Sequence, residues 1–301
     1  MNGGISLGFA NTKGDVGEST RKAKSLKEEI KEKIFQMQQI PINKKVLMSG
    51  ENGTAKSSLA LGIMTYNLKP DEVIIYIDVD NSGLEIVQNF YSKEYNNNQI
   101  LVYRPNQIIE REDGVEVKDE EKTIYAISNA AMVVQEALDD GMNVKGVIVD
   151  GVSFVLEFCE AFMRLEEDIS VAEGVPMQKW KIRNKAFRDF SSPYMSLPVP
   201  VMFISHADFI PELQEENSDD FGFSSVKQRF IDECSMRLIL TKTEDGDLVD
   251  YVATIKKNRS DLTTENMQFV FLTRNKTTND IVSDLKDISN VIFPQKNSGD
   301  K

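Results

Sequence analysis

The fold is decided by the stretch Lys45-Val-Leu-Met-Ser-Gly-Glu-Asn-Gly-Thr-Ala-Lys-Ser-Ser58, an apolar strand that leads into a glycine-containing loop and then a helix. It fits the phosphate-binding pattern G-x-x-x-x-G-K-S/T at every fixed position except one, where Ala55 replaces the second glycine. The amides of such a loop and the N-terminus of the following helix attract an anion. The stretch therefore predicts a site for a phosphate group at the carboxyl end of the first strand.

The loop residues have expected roles toward ATP and Mg²⁺. Lys56 can reach the β- and γ-phosphates, and the Ser57 hydroxyl can hold Mg²⁺. The alternative is a chance match in a turn rich in small residues, which the strand-loop-helix setting disfavours. The residues predicted to contact the nucleotide are Gly50, Glu51, Asn52, Gly53, Thr54, Ala55, Lys56, Ser57 and Ser58.

Two further strands end in carboxylates. Val147–Val149 leads to Asp150, and because ligands gather at the carboxyl ends of parallel strands, Asp150 is predicted to share the metal with Ser57. The strand Val73–Val79 leads to Asp80, which can orient and deprotonate an attacking water. The alternative role for Asp80 is to cap the helix that follows.

Apolar strands alternate with helical patterns from residue 45 onward, which predicts an α/β fold with a mostly parallel central sheet and helices on both faces. After residue 228 the strands are joined by short turns, and we expect antiparallel strands at the C-terminal edge of the sheet. The predicted strands are 46–49, 73–79, 100–103, 147–149, 199–205, 236–243, 249–257 and 268–272, and the predicted helices are 57–67, 83–95, 124–138 and 178–190.

The composition limits the classes of partner. The 301 residues carry 35 Lys and Arg against 48 Asp and Glu, a formal net charge of -13, which argues against a uniformly basic coat for duplex nucleic acid but leaves local patches open. Cys159 and Cys234 cannot form a disulfide framework, so we expect a reducing, cytoplasmic setting. No apolar run approaches the roughly 18 residues that span a bilayer, and the N-terminus lacks a signal pattern, so neither membrane insertion nor secretion is expected.

One domain with extensions is expected. The helix that precedes the domain is basic and amphipathic, and it either packs on the body or a neighbouring subunit or contacts DNA. Two acidic stretches, 110–121 and 212–220, are predicted to be exposed loops. The predicted divisions are a mobile arm at 1–20, the basic helix at 21–40, the ATPase domain at 41–275 and a tail at 276–301.

The order of these parts resembles the RecA superfamily of ATPases over roughly residues 40–275. Gly50–Ser58 is similar to the family's phosphate loop, Ile77–Asp80 to its second strand with the catalytic acid, and Val147–Asp150 to its metal-binding strand. The catalytic acid of recombinases in this family is usually Glu, and Asp80 is one methylene shorter. The resemblance implies a RecA-like core and a homo-oligomer, either a ring or a filament, with ATP sites at the subunit interfaces.

Three residues receive roles only through this resemblance. His206, the single histidine, ends a strand where the family has a polar sensor of the γ-phosphate, and without the resemblance it is read as a structural hydrogen-bonding residue. Lys257 and Arg259 resemble the cations that family members insert into the neighbouring subunit's ATP site. Their alternative role is a solvated basic turn.

Single-stranded DNA is the partner that the resemblance implies. In such recombinases two loops line the DNA channel, here about 157–178 and 207–228. Basic and aromatic side chains can hold phosphates and stack on bases, whereas the acids of the second loop weaken such binding, and the helix around Trp180 is alternatively core on one face and solvated on the other. The residues concerned are Arg164, Lys179, Trp180, Lys181, Arg183, Lys185, Arg188, Phe209, Phe221, Phe223, Lys227 and Arg229.

The leading hypothesis is a Mg²⁺-dependent RecA-like ATPase that acts on single-stranded DNA in recombination, repair, annealing or replication. It looks most similar to phage-encoded members of the superfamily, which implies the host cytoplasm as its location. The first alternative is a DnaB-type helicase core or another DNA motor. The second is a nucleotide-gated assembly or regulatory ATPase that binds another protein and no DNA, which the net charge favours.

Overall fold

A single large sheet organises the chain. The computed structural model of the protein describes residues 44–110, 116–207 and 225–293. Its strands are β1 (Lys45–Gly50), β2 (Val73–Asp78), β3 (Ile100–Tyr103), β4 (Ile108–Glu110), β5 (Glu116–Lys118), β6 (Val144–Asp150), β7 (Val201–His206), β8 (Met236–Asp245), β9 (Leu248–Asn258), β10 (Gln268–Asn275) and β11 (Ile281–Ser283).

The sheet is mostly parallel. Among the described residues, nine strands pair in the order β11-β10-β9-β8-β1-β7-β6-β2-β3, and β4 pairs with β5 in a separate hairpin. The six neighbouring strands from β8 to β3 run parallel, and β9, β10 and β11 extend the sheet with antiparallel pairing. The predicted fold class is therefore confirmed, with one correction. β8 runs parallel to β1, so the antiparallel part begins only at β9.

Helices cover both faces of the sheet, because successive side chains of a buried strand point to opposite sides. Leu47 belongs to one buried cluster with Val155 and Phe187, whereas Val46 and Met48 belong to the other. In the described part of the chain, no helix has the length and apolar character needed to cross a membrane. The helices are α1 (Lys56–Thr65), α2 (Gly83–Phe90), α3 (Ser92–Asn96), α4 (Glu120–Asp139), α5 (Val152–Glu166), α6 (Trp180–Ser196), α7 (Ser225–Glu233) and α8 (Lys286–Ile292).

The parallel strands bring their carboxyl ends to one edge of the sheet. Gly50 of β1 pairs with His206 of β7, and Asp78 of β2 pairs with Asp150 of β6. Because β7 also pairs with β6, it separates the phosphate-loop strand from the strand that ends in Asp150. The segments that follow these four strands therefore meet at one place, which is where ligands bind in open α/β sheets.

Two stretches differ from the sequence-based prediction. Residues 157–178 were predicted to be a loop, but α5 continues to Glu166 with an apolar stripe at helical spacing that is buried against the sheet. The acidic stretch 110–121 was predicted to be an exposed loop, but it contains β5 and the beginning of α4. The Asp119 carboxylate accepts a hydrogen bond from the Lys122 amide and so caps the N-terminus of α4.

The end of the chain joins the sheet. β11 forms the last strand, and Ile288 and Ile292 of α8 are buried. The Lys44 ammonium donates to the Val291 carbonyl oxygen (2.7 Å) in the last turn of α8, where the helix dipole favours a cation. The sheet thus continues beyond residue 275. The predicted arm at 1–20, the basic helix at 21–40 and the acidic loop at 212–220 lie outside the described residues.

Candidate nucleotide-binding site

The structure brings most of the predicted site residues together in one open cleft of about 200 Å³ at the carboxyl edge of the sheet. Gly50 and Glu51 lie in the loop itself and contribute carbonyl oxygens to it. Lys257 and Arg259 do not line the cleft. The predicted residues that line it are Asn52, Gly53, Thr54, Ala55, Lys56, Ser57, Ser58, Asp80, Asp150 and His206.

The phosphate loop is held by hydrogen bonds to its own carbonyl groups. The Lys56 ammonium donates to the carbonyl oxygens of Gly50 and Glu51, both at 2.8 Å, and the Thr54 hydroxyl also donates to Glu51 (2.8 Å). Beneath the loop, the hydroxyls of Ser49 and Ser205 contact each other at 2.5 Å and join the ends of β1 and β7. The loop therefore holds one ammonium group in the cleft at the N-terminus of α1.

Ala55 adopts the conformation expected of the glycine that it replaces. Its φ is 58° and its ψ is 33°, in the left-handed region, immediately before α1 begins at Lys56. Gly53 also has a positive φ, 75°. A left-handed conformation costs a residue with a Cβ about 1–2 kcal/mol. The unusual alanine therefore preserves the loop's shape at the expense of local strain.

The predicted metal ligands contact each other. The Ser57 hydroxyl donates to the Asp150 carboxylate oxygen Oδ2 at 2.5 Å. Tyr76 of β2, which sequence reasoning missed, donates its hydroxyl to the same oxygen. A polar tip inside the apolar run of β2 was a signal for such a partner, since a buried tyrosine hydroxyl needs an acceptor. Which acceptor it finds depends on β2 lying beside β6.

Burial and charge set the protonation of Asp150. The pKa of this carboxyl is raised from 3.8 to about 6, mainly by burial and further by the nearby Asp80 carboxylate, while the hydrogen bonds from Ser57 and Tyr76 act in the opposite direction. Burial also raises the pKa of Tyr76 well above 10, and the Asp150 charge adds to this shift. The tyrosine thus remains a neutral donor beside the carboxylate.

Asp80 and Asp78 lie on different sides of the turn that leads into α2. The Asp80 carboxylate lies in the cleft and accepts from the amide (2.9 Å) and hydroxyl (2.8 Å) of Ser82. The buried Asp78 carboxylate accepts from the first amides of α2, those of Gly83 (2.9 Å) and Leu84 (3.1 Å). Asp78 is therefore the main cap of α2, and Asp80 is fixed in a turn beside the phosphate loop.

A segment after β3 holds the turn that carries Asp80. Arg104 donates from Nε to Asp78 (3.1 Å) and from a terminal nitrogen to the Asn81 carbonyl (3.0 Å). The Asn106 amide donates to the Val79 carbonyl (2.8 Å). No pattern along the chain predicts this arrangement, because it depends on the pairing of β3 with β2. Its consequence is that the main chain on both sides of Asp80 is fixed.

His206 is connected through the beginning of α5 to the strand that ends in Asp150. Its backbone amide donates to the Ser153 hydroxyl (2.8 Å), and its ring lies edge-on to the Phe154 ring at a centroid distance of 5.3 Å. Ser153 and Phe154 follow Asp150 by three and four residues. His206 lines the cleft. Two residues of α5 hold it there, Ser153 through the His206 amide and Phe154 through the His206 ring.

Lys257 and Arg259 lie at the opposite end of the sheet. Gly50, at the carboxyl end of β1, pairs with Leu240 in the middle of β8. Asn258 pairs with Met236, the first residue of β8, and so lies towards the amino ends of the parallel strands. Both cations donate to the carboxyl end of α7, Lys257 to the Ile231 and Asp232 carbonyls (3.1 and 2.9 Å) and Arg259 to the Asp232 carbonyl. Within one subunit these two residues do not serve the cleft.

The oxygen donors in the cleft fit Mg²⁺. The Ser57 hydroxyl and the Asp150 carboxylate are hard ligands that meet at one point, and no cluster of three or more His, Cys, Asp or Glu side chains suited to a metal occurs among the residues that the structure describes. Mg²⁺ is commonly bound through one or two protein oxygens together with substrate phosphates and water. This donor set is consistent with such an arrangement.

The basic residues predicted to face DNA on α5 and α6 are largely paired with acids. Arg164 and Arg183 both approach Glu160, at 3.0 and 4.0 Å, and Arg183 also lies over the Trp180 ring at 4.2 Å. Lys179 pairs with Glu167. A further pair joins Lys185 to Asp189 at 3.0 Å. These ion pairs reduce the positive charge available to phosphate groups. Of the second predicted loop, residues 208–224 lie outside the described part of the chain.

Similarity to known proteins is found among solved structures. No protein-family model and no curated protein matches the chain. Among solved structures, the chain is similar to the KaiC-like protein PH0186 from the hyperthermophilic archaeon Pyrococcus horikoshii OT3, with 12% sequence identity, a TM-score of 0.46 and coverage of 80% of this chain and 89% of that chain. The chemistry of the site therefore follows from its own residues and not from this likeness.

Proposed function

We propose that the protein is a Mg²⁺-dependent ATPase of the RecA superfamily. The observation that carries this proposal is the contact between the Ser57 hydroxyl and the Asp150 carboxylate (2.5 Å) beside the ammonium of Lys56 in a phosphate loop. The order of strands, in which β7 separates β1 from β6, supports it. The fit of this cleft to a nucleoside triphosphate is better than to a ligand without phosphate, because a cation and a helix N-terminus converge there.

The polar and charged side chains of the cleft divide the steps of the proposed hydrolysis among them. Lys56 and the loop amides bind the phosphates, and Ser57 and Asp150 hold Mg²⁺, which neutralises phosphate charge when bound. Asp80 orients the attacking water and accepts its proton. The side chain of His206 contacts the γ-phosphate, and the loss of that phosphate after hydrolysis is transmitted to α5 through Ser153.

Removal of the ammonium tests the nucleotide proposal directly. Lys56→Ala is expected to abolish ATP hydrolysis, because the loop then lacks the ammonium that stabilises the charge of the transferring phosphoryl group. The matched control is Lys93→Ala, since Lys93 is exposed on α3. Turnover would be measured as phosphate release with purified protein. Equal hydrolysis by the Lys56 variant and the wild type would refute the assignment.

We further propose a homo-oligomer, a ring or filament, in which Lys257 and Arg259 complete a neighbour's ATP site. Their position at the far end of the sheet from their own phosphate loop supports this role, since only a second subunit can bring them to a cleft. Their present acceptors, the last carbonyls of α7, would be exchanged for phosphate oxygens.

We propose in finer detail that the protein acts on single-stranded DNA in recombination, repair, annealing or replication, and that it is of phage type and works in the host cytoplasm. Exposed cations of α6 such as Lys181 and Arg188 support a phosphate contact there. The test is the ATPase rate with and without single-stranded DNA at low and moderate salt. Stimulation that weakens with salt supports the proposal, and directional unwinding of a duplex would favour a DnaB-type motor.

A second candidate is a nucleotide-gated assembly or regulatory ATPase that binds another protein and no DNA. The ion pairs of Arg164, Lys179 and Lys185 with acids on the same surface favour it, and so does the net charge of -13. The same ATPase measurement separates the two candidates. An unchanged rate and no DNA binding at low salt would support this second function.

A further inference from the structure

Tyr76 ties the metal-binding carboxylate to the turn that carries Asp80. We propose that Tyr76 is a positioning residue that fixes Asp150 for Mg²⁺ binding. This inference rests on the proposed function, in which Asp150 and Ser57 hold the metal of a bound nucleotide. Tyr76 itself contacts neither the nucleotide nor the metal in this proposal. It acts through the carboxylate that it holds.

The contact is specific to one carboxylate oxygen. Tyr76 donates its hydroxyl to Asp150 Oδ2, the oxygen that also accepts from the Ser57 hydroxyl at 2.5 Å. These three side chains come from β2, β6 and the first turn of α1, which are three separate elements of the site. Two donors on one oxygen define the rotation of the carboxylate about its last bond, so its orientation is fixed before a nucleotide arrives.

The tyrosine has no room to move away. Its side chain is completely buried, and its ring and hydroxyl lie directly against Gly83, the first residue of α2, so closely that a Cβ at position 83 would collide with them. Gly83 follows Asp80 by three residues and donates its amide to Asp78. The glycine therefore accommodates the ring, and the ring connects the metal carboxylate to the helix that begins beside Asp80.

Loss of the hydroxyl is expected to weaken Mg²⁺ binding and not the binding of phosphate alone. Groups that orient a metal ligand through a hydrogen bond typically contribute roughly ten- to hundred-fold to metal affinity. In Tyr76→Phe the ring remains in place against Gly83, whereas the carboxylate keeps only the Ser57 donor. Lys56 and the loop are unaltered, so the Mg²⁺-independent part of nucleotide binding is expected to persist.

The experiment measures binding of a fluorescent ADP analogue, first in EDTA and then during a titration with Mg²⁺. For Tyr76→Phe, the Mg²⁺ concentration at half-maximal binding is expected to rise about ten-fold, with the affinity in EDTA unchanged. The matched control is Tyr194→Phe, which removes another buried hydroxyl, bound to the Ile127 carbonyl at 2.6 Å on the other face of the sheet. This control is expected to leave both quantities unchanged.

A second variant keeps the hydroxyl but displaces it. Gly83→Ala forces the Tyr76 ring to shift, so the Mg²⁺ midpoint is expected to rise in this variant too. An unchanged midpoint in folded Tyr76→Phe overturns the role of Tyr76 and leaves the ATPase proposal intact. Equal weakening in EDTA and in Mg²⁺ also overturns it, because that pattern indicates a general structural effect. If the wild type binds no nucleotide analogue, the nucleotide proposal itself is wrong and this inference falls with it.

Discussion

The backbone of Gly50 lies so close to the main chain of Leu240 on β8 that a Cβ at position 50 would overlap the Leu240 carbonyl oxygen and would lie 2.8 Å from the Thr54 hydroxyl. The first glycine of the phosphate-binding pattern is thus required by the neighbouring strand. The same Cβ would also displace Thr54, whose hydroxyl holds the phosphate loop through its hydrogen bond to the Glu51 carbonyl. The fold and the site therefore place the same demand on this position.

Gly50→Ala is expected to destabilise the fold by about 1–3 kcal/mol, because β1 and β8 must separate to admit the methyl group. Nucleotide binding is expected to weaken in the same variant, since Thr54 is displaced with the loop. Thermal unfolding and binding of a nucleotide analogue would be measured together. Gly174→Ala is the control, because a Cβ there meets nothing within 4 Å. Equal stability of the two variants would contradict the steric argument.

Ala55→Gly is expected to stabilise the nucleotide-free protein by about 0.5–1 kcal/mol. The glycine removes the strain of the left-handed conformation at φ 58°, and the greater freedom of glycine in the unfolded chain offsets only part of this gain. The control is Ala126→Gly within α4, where the same substitution is expected to destabilise by about 1 kcal/mol. Chemical denaturation would measure both values, and a loss of stability in Ala55→Gly would refute the interpretation.

Asp150→Asn is expected to stabilise the nucleotide-free protein at pH 7 while it abolishes hydrolysis. The pKa of Asp150 is raised to about 6 in the folded state from 3.8, so the folded state binds the proton more tightly than the unfolded state. The wild type therefore loses stability from this group as the pH rises from about 4 to 6, by about 2–3 kcal/mol in total. The variant carries no such charge and escapes this loss.

The stability gain of Asp150→Asn should consequently disappear between pH 6 and pH 4, which unfolding curves at several pH values would detect. Asp119→Asn is the control, because hydrogen bonds from Lys122 lower the pKa of that exposed carboxyl. Removing its charge is not expected to stabilise the protein. If Asp150→Asn is less stable than the wild type at pH 7, the buried Asp150 charge does not destabilise the folded protein, which contradicts the prediction.

Arg104→Ala is expected to lower kcat about ten-fold with little change in KM, because Arg104 holds the turn that carries Asp80 and does not contact the cleft. Stability should also fall, by about 1–2 kcal/mol, since the buried Asp78 loses a charged donor that is itself partly exposed. The control is Arg274→Ala, because the Arg274 side chain of β10 is exposed. A kcat equal to that of the wild type would show that the turn does not need this support.

The residues that sequence reasoning found and those it missed differ in what defines them. Lys56, Ser57 and Asp150 could be placed because a local pattern and the rule that parallel strands end at one edge suffice to bring them together. Tyr76 and Arg104 depend on which strand neighbours which, here β6 beside β2 and β2 beside β3. No spacing along the chain encodes those neighbours, so the support of the site was visible only in the folded structure.

Arg259→Ala is expected to reduce turnover by roughly a thousand-fold while nucleotide binding persists, if the residue acts as a cation supplied to a neighbouring subunit. Lys256→Ala is the matched control, because Lys256 is another cation near the end of β9 and its side chain is exposed. The alternative, a role limited to the α7 carbonyl at Asp232, predicts lower thermal stability with normal turnover per folded molecule.

Mixing two inactive variants separates these outcomes. In an equal mixture of Arg259→Ala and Lys56→Ala subunits that assemble at random, about one site in four combines an intact Lys56 with an intact Arg259 from its neighbour, so roughly a quarter of wild-type turnover should return. The double variant alone, with the Arg259 and Lys56 changes on one chain, provides the inactive reference, because every one of its sites lacks both cations. No recovery in the mixture, with assembly verified by light scattering, would mean that Arg259 does not act across a subunit interface.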